Sequence, residues 1–212
     1  MKTIVKLLVV MVLMLATFSQ STSAGAGGGG GGNFRFKGLG ASAYFSSSDP
    51  SGCVYTDVSV FANEQMILNQ PGTNNAFSGI SLYISQYDYC RGVQLLAADG
   101  YSSLAAHDLV ISNQLESAAL TATVSMYDYV SGNSFDVRVN LNWTGVSSIG
   151  HRTNQSQYRF ERCHQKYQDN SKFRFAQVSG SISDRVTEFA VAPALYADIF
   201  SSKGGSVSTG CV

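Results

Sequence analysis

Five tyrosines are the residues whose type and spacing best suit a binding function. They are Tyr83, Tyr87, Tyr89, Tyr127 and Tyr129. Each lies on the side of a predicted strand or turn opposite to apolar residues, so we expect these rings on solvent faces or turn tips. Exposed aromatic rings can stack on sugars or anchor a partner. The competing interpretation is cross-strand packing that only stiffens the hairpins.

Three aspartates occupy repeat-related turns and are candidate metal ligands. Asp49, Asp88 and Asp128 should gather at one end of the fold, where carboxylates and loop carbonyls would suit a hard cation such as calcium. No D-x-D-x-D run is present, and aspartates in turns commonly accept hydrogen bonds from the local backbone. We expect no cofactor, with calcium as the one alternative.

Catalytic constellations have less support. Glycosidases need two carboxylates about 5–10 Å apart, and Asp57 and Asp136 each begin a predicted strand in repeat-related positions. Strand-end aspartates also form local backbone hydrogen bonds, which is the alternative interpretation. The sequence contains no G-x-S-x-G motif, and no spacing of its serines, aspartates and three histidines indicates a catalytic triad.

A long hairpin over residues 121–143 organises the elements that would position these groups. In its second half, apolar and polar residues alternate without exception, which predicts one buried face and one face in water. The apolar set is Phe135, Val137, Val139, Leu141 and Trp143, and the polar set is Asp136, Arg138, Asn140 and Asn142.

An internal repeat extends this pattern along the chain. Residues 85–92 match residues 125–132 at five of eight positions with an offset of 40, and Gly52 lies 40 residues before Gly92. The repeat predicts antiparallel hairpins over residues 41–145 with turns near Gly52, Gly92 and Gly132. We therefore predict an all-β fold, an antiparallel two-sheet sandwich (jelly-roll-like or Ig-like) built from successive hairpins. The polar residues 147–157 predict a long loop.

The segments 49–58, 85–90 and 127–143 resemble those of a family of exported bacterial proteins that has no assigned activity. The resemblance covers about residues 41–145. It implies a secreted, all-β protein. Residues 150–175 depart from the shorter tail of that family.

The first residues predict export. A basic start, an unbroken apolar run and small residues near position 24 are typical of a secretory signal peptide over residues 1–24. A glycine-rich linker over residues 25–37 and a single domain over residues 38–212 follow. No later apolar stretch has the length of a membrane span. We expect a secreted protein, extracellular or periplasmic.

Four cysteines in an exported chain favour two disulfides, with three connectivities open. Repeat-related turns favour pairing Cys53 with Cys90, which leaves Cys163 for Cys211 near the chain end.

Charge is unevenly distributed. Residues 38–150 have a net charge of −7, and residues 151–212 have a net charge of +3. The basic segment 151–174 either complements the acidic part or contacts an anionic partner. We expect a non-enzymatic binding or structural module for a glycan or cell-surface component, with no nucleic acid partner. The alternatives are a secreted hydrolase acting on polysaccharide and a subunit that assembles through an exposed edge strand.

Overall fold

The computed structural model of the chain describes residues 34–68, 76–191 and 193–209. Within these ranges the chain forms eleven β-strands and no helix. The strands are β1 (Phe34–Ser48), β2 (Val54–Ile67), β3 (Ala76–Asp88), β4 (Val93–Ser103), β5 (Leu109–Ile111), β6 (Ser117–Asp128), β7 (Ser134–Gly145), β8 (Gly150–Phe160), β9 (Cys163–Ser183), β10 (Glu188–Val191) and β11 (Tyr196–Thr209).

Three tight turns begin the hairpins that the repeat predicts. Gly52, Gly92 and Gly132 have φ angles of 71°, 68° and 74°, a left-handed conformation that glycine adopts without steric cost. They lie in the β1–β2, β3–β4 and β6–β7 turns, and each of these strand pairs is antiparallel. The predicted hairpins and the positions of their turns are confirmed.

One sheet closes on itself. Hydrogen-bonded neighbours run in the order β9, β11, β1, β2, β3, β4 and β6, and β7 pairs with both β6 and β9. The closure depends on the length of β9. Its first half pairs with β11 through residues 164–175, and its second half pairs with β7 through residues 176–183. Eight strands therefore form a ring-like sheet, which we call the closed sheet.

This architecture differs from the predicted sandwich, because the structure has one sheet where the sequence predicted two. The all-β, antiparallel part of the prediction is confirmed. Alternation along a strand shows that one face is buried, and a closed sheet buries one face as completely as a sandwich does. The pairing of β7 with β9 closes the sheet. It joins residues 31 to 45 positions apart, and no local pattern encodes it.

The core fills the inside of the closed sheet. On β7, Val137, Val139, Leu141 and Trp143 are at most 1% exposed and Phe135 is half-buried. Asp136, Arg138, Asn140 and Asn142 are exposed on the opposite face, as predicted. Each of the other seven strands adds inward residues, among them Ala41, Val58, Ile80, Ala98, Leu120, Ile182 and Ile199.

Residues 150–160 correct the prediction of a loop over residues 147–157. They form β8, which pairs along its whole length with β9 in a hairpin that turns at Glu161, a residue with a φ of 52°. Every residue of β8 after Gly150 is exposed. A strand with both faces in water has no reason to alternate apolar and polar residues, which is why its sequence is typical of a loop.

The predicted signal peptide, residues 1–24, lies outside the described residues, as does the predicted linker up to residue 33. Strand β1 begins at Phe34, and Phe36 pairs with Ile67 of β2. Ordered pairing thus starts before residue 38, where the sequence predicted the domain to begin.

Cys53 and Cys90 form the predicted disulfide, with their Cα atoms 5.3 Å apart. The bond joins the β1–β2 turn to the β3–β4 turn at one end of the closed sheet. Cys163 is disulfide-bonded as well. Its predicted partner Cys211 lies outside the described residues, so that pairing stays a prediction.

Candidate functional site

A row of side chains crosses the outer face of the closed sheet near the three glycine turns. By strand register it consists of Tyr196, Tyr44, Ser59, Tyr83, Asp99 and Tyr127, on β11, β1, β2, β3, β4 and β6. Each residue points outward because its chain neighbours point into the core, as Leu82 and Ile84 do around Tyr83. Neighbouring strands lie about 4.8 Å apart, so the row extends over roughly 24 Å.

More tyrosines cluster between this row and the turns. Tyr55 lies opposite Tyr87, and the Tyr89 ring packs edge-on against both, with centroid distances of 5.2 Å and 4.7 Å. Tyr127 and Tyr129 make the same T-shaped contact at 5.2 Å. We call this surface the tyrosine face: Tyr44, Tyr55, Tyr83, Tyr87, Tyr89, Tyr127, Tyr129 and Tyr196, with Asp57, Asp99 and Asp198.

Three aspartates on the tyrosine face hold tyrosine hydroxyls by hydrogen bonds. The Tyr44 hydroxyl donates to Asp57 Oδ1 at 2.8 Å. The Tyr129 hydroxyl donates to Asp99 Oδ1 at 2.8 Å, and the Tyr196 hydroxyl donates to Asp198 Oδ2 at 3.1 Å. These bonds fix the ring planes, so the face presents pre-oriented aromatic rings beside carboxylate oxygens.

The pKa values on this face follow from burial and from the same hydrogen bonds. Burial, then the hydrogen bond to Asp57, raises the pKa of Tyr44 far above its usual value. Burial and the Asp198 charge raise the pKa of Tyr196 to about 12. The hydrogen bond to Asp99 raises the pKa of Tyr129. These hydroxyls therefore stay protonated at neutral pH and remain donors.

Asp198 is the carboxylate of this face that burial affects most. Burial raises its pKa, although hydrogen bonds donated by the Ser42 and Tyr196 hydroxyls oppose that shift. Phe175 lies opposite Asp198 on β9 and contacts the Tyr196 ring edge-on at 5.8 Å. An apolar ring thus covers this carboxylate on the β9 side.

The five tyrosines singled out from the sequence all lie on the tyrosine face. Tyr129, Tyr89 and Tyr127 are 63%, 59% and 45% exposed, whereas Tyr83 and Tyr87 are half-buried. Cross-strand packing and exposure therefore occur together, and the two interpretations of these residues do not exclude each other. Whether the rings bind a ligand stays a prediction.

Sequence reasoning missed the part of the face on β1, β2 and β11. Tyr44 alternates with buried Ala43 and Phe45, so the rule that found Tyr83 could have found it. Tyr196 and Asp198 alternate in the same way with buried Ala197 and Ile199. Their nearness to Tyr44 depends on the pairing of the first strand with the last, which the sequence does not encode locally.

The aspartates proposed as calcium ligands cap their own turns. Asp49 Oδ1 accepts from the backbone N–H groups of Cys53 and Val54, and Asp88 Oδ1 accepts from that of Arg91. Asp128 accepts from the N–H groups of Ala97, Val130 and Ser131. In the part of the chain that the structure describes, no group of three or more His, Cys, Asp or Glu could hold a metal ion. Calcium binding through these carboxylates and loop carbonyls stays a prediction.

The proposed glycosidase pair is not brought together. Asp57 faces outward on β2 and Asp136 faces outward on β7. Three strands separate β2 from β7 in each direction around the closed sheet, namely β3, β4 and β6 on one side and β1, β11 and β9 on the other. The two carboxylates therefore lie on opposite sides of the molecule.

Comparison of the chain with models of protein families, with curated proteins and with solved structures returned no match. The resemblance to exported bacterial proteins accordingly stays an expectation. Across residues 34–68, 76–191 and 193–209, the chain forms no helix with the length and apolarity that a membrane crossing needs.

Proposed function

We propose that the protein is a secreted, non-enzymatic binding module whose tyrosine face binds a neutral glycan. The observation that carries this proposal is the row of outward side chains across six neighbouring strands, in which four of the six residues are tyrosines and the other two are Ser59 and Asp99. Aromatic rings can stack on the apolar faces of sugars, and carboxylate oxygens can accept hydrogen bonds from sugar hydroxyls. A linear chain of sugars would meet four rings and Asp99 along the row, and Asp57 and Asp198 each lie two residues from a member of the row on β2 and β11.

Charge supports a neutral ligand over an anionic one. The region 38–150, which supplies most of the tyrosine face, has two arginines against nine carboxylates. A polyanion approaching Asp57, Asp99 and Asp198 would meet repulsion, whereas a neutral sugar chain would not. The Cys53–Cys90 disulfide supports an oxidising compartment outside the cytoplasm, where such glycans occur.

Affinity electrophoresis through gels that contain neutral soluble polysaccharides, such as xylan, mannan or mixed-linkage glucan, tests the proposal. We expect at least one polysaccharide to retard the protein, and the variant Tyr89→Ala/Tyr129→Ala to lose most of that retardation. The matched control is Tyr158→Ala, because Tyr158 is 61% exposed but lies on β8, away from the tyrosine face. Running the gels with EDTA and with calcium chloride tests the calcium prediction as well.

The proposal fails if no neutral polysaccharide retards the protein, or if Tyr158→Ala lowers retardation as much as the double variant does. Release of reducing sugars from a retarding polysaccharide would instead support the alternative function, a secreted hydrolase.

A further inference from the structure

A cavity opens at the end of the closed sheet opposite to the glycine turns. Its volume is about 1270 Å³. Strands β1, β2, β3, β8, β9 and β11, the last residue of β4 and the segments after β4, β5 and β7 contribute its walls. We call it the lysine mouth, after Lys37, Lys172 and Lys203. It is separate from the tyrosine face, which lies on the outer surface near the other end.

The three lysines lie close together on the inner face. Lys37 on β1 is directly opposite Lys203 on β11, at a separation of about 5 Å between Cβ atoms for such pairs. Lys203 is opposite Asn170 on β9, so Lys172 is its diagonal neighbour. Each lysine is an even number of residues from an inward residue of its own strand, such as Ala41 or Ile199. Like charges directly opposite each other destabilise a sheet, and a bound anion would relieve that cost.

The other lining residues strengthen the positive charge. Lys172 is directly opposite His151 on β8. Among the described residues that line the mouth, four are Lys or Arg and Glu64 is the one carboxylate. Low-dielectric walls around such an excess focus the field, which favours an anionic group at this end of the molecule.

Apolar lining adds to the lysines. Leu39 lies on β1 two residues after Lys37, and Met66 is directly opposite Lys37 on β2. Both residues line the cavity, and Met66 is 43% exposed. They offer apolar surface beside the cationic groups.

We propose that the lysine mouth binds a small amphipathic anion, whose acidic group lies between Lys37 and Lys203 and whose apolar body covers Leu39 and Met66. The acidic group is a carboxylate or a phosphate, as in a free fatty acid or a lipid headgroup. This inference is independent of the tyrosine face and of its glycan.

Titration calorimetry of the full chain with octanoate, octyl phosphate and octanol tests it. We expect at least one of the two anions to bind about tenfold more tightly than octanol, and to weaken as salt rises from about 0.05 M to about 0.5 M. The tighter of the two anions identifies the acidic group as carboxylate or phosphate. The glycan-site variant Tyr89→Ala/Tyr129→Ala should bind both anions as the wild type does.

Two double variants with the same loss of charge locate the site. Lys37→Met/Lys203→Met should lose about tenfold or more in affinity, because methionine keeps the length of lysine and removes its charge. Lys166→Met/Arg185→Met removes two charges away from the lining and should bind normally.

Three results would each overturn the inference: octanol binding as tightly as both anions, equal losses in the two double variants, or no heat from either anion. The salt series on the wild-type protein keeps the test decisive even if the lysine variants fail to fold.

Discussion

Trp143 Nε1 donates a hydrogen bond of 2.8 Å to the backbone carbonyl oxygen of Ser42. The indole belongs to β7 and the carbonyl to β1, two strands that are not neighbours in the closed sheet, so this bond crosses the interior. Trp143 is 1% exposed and is the largest of the fully buried side chains. The Trp143 side chain therefore fills part of the core and also links β7 to β1 by a hydrogen bond.

Replacing this indole by a smaller ring tests the link. Trp143→Phe removes the hydrogen bond and leaves a cavity, and we expect it to lower the free energy of unfolding by about 2–4 kcal/mol. Urea denaturation followed by circular dichroism measures the change, because the variant lacks the single tryptophan of the chain. Tyr158→Phe on exposed β8 is the control and should change stability by less than about 0.5 kcal/mol. Equal stability of the two variants would contradict the packing described here.

The Cys53–Cys90 disulfide closes a loop that spans 37 positions. In the chain-entropy model, Cys53→Ser/Cys90→Ser should lower stability by about 3–4 kcal/mol, with smaller values where the unfolded chain keeps residual structure. Urea denaturation of the wild type and the double variant measures this difference. Peptide mapping of the unreduced protein also tests the predicted Cys163–Cys211 bond, and a Cys53–Cys163 fragment would refute both pairings.

Asp128 is 5% exposed and accepts hydrogen bonds from three backbone N–H groups, those of Val130 and Ser131 in its own turn and that of Ala97 on β4. We expect Asp128→Ala to destabilise the fold by about 1–3 kcal/mol at neutral pH, because those donors lose their acceptor. Asp49→Ala, in the equivalent turn near the chain start, is the comparison and should cost less, because Asp49 lies nearer the surface. Urea denaturation measures the loss of stability in both variants, and a larger loss for Asp49→Ala would contradict the prediction.

The same carboxylate predicts a dependence on pH. Burial acts to raise the pKa of Asp128, but hydrogen bonds from Ser131 and the backbone outweigh burial, and the pKa lies below its ordinary value of 3.8. A lowered pKa contributes stability above the ordinary value, and this contribution is lost as the pH falls through the lower, folded-state value. The stability difference between wild type and Asp128→Ala should therefore shrink below pH 3.8. A difference that grows in acid would contradict this assignment.

Gly180 lies where β9 pairs with β7 and closes the sheet. Its φ is 114°, and a Cβ there would collide with the Asn140 carbonyl. Gly52 also has a positive φ, but a Cβ there would meet nothing within 4 Å. We expect Gly52→Ala to cost about 1 kcal/mol from backbone strain alone and Gly180→Ala about 2–4 kcal/mol. Thermal unfolding measures the loss of stability in both variants. A smaller loss for Gly180→Ala than for Gly52→Ala would contradict the close pairing of β9 with β7.

The sequence predicts the hairpins because their information is local. Alternation along β7 identifies its buried face, and the glycines of the repeated turns mark where strands reverse. The antiparallel, all-β character and the Cys53–Cys90 bond follow from those two signals. The closed sheet does not, since β1 pairs with β11 across more than half of the chain and β9 divides its length between two neighbours on each edge.

The candidate sites also contain a part that local sequence patterns predict and a part that depends on long-range strand pairing. Tyr127 and Tyr129 could be placed on an outer face from alternation alone. The row from Tyr196 to Tyr127 could not, because it exists only where six strands share a register. The lysine mouth was still less visible: Lys37 and Lys203 are far apart in sequence and meet through the pairing of the first and last strands.

The most direct test of the proposed function is solution NMR of protein with labelled tyrosine side chains. The chain contains eleven tyrosines, so each ring can be followed separately during titration with an oligosaccharide of the retarding polysaccharide. The glycan hypothesis predicts that Tyr89, Tyr127 and Tyr129 shift with a common affinity while Tyr158 on β8 stays unchanged. Shifts confined to Tyr158 and Tyr167 on the β8–β9 hairpin, or no shifts in any tyrosine, would contradict it.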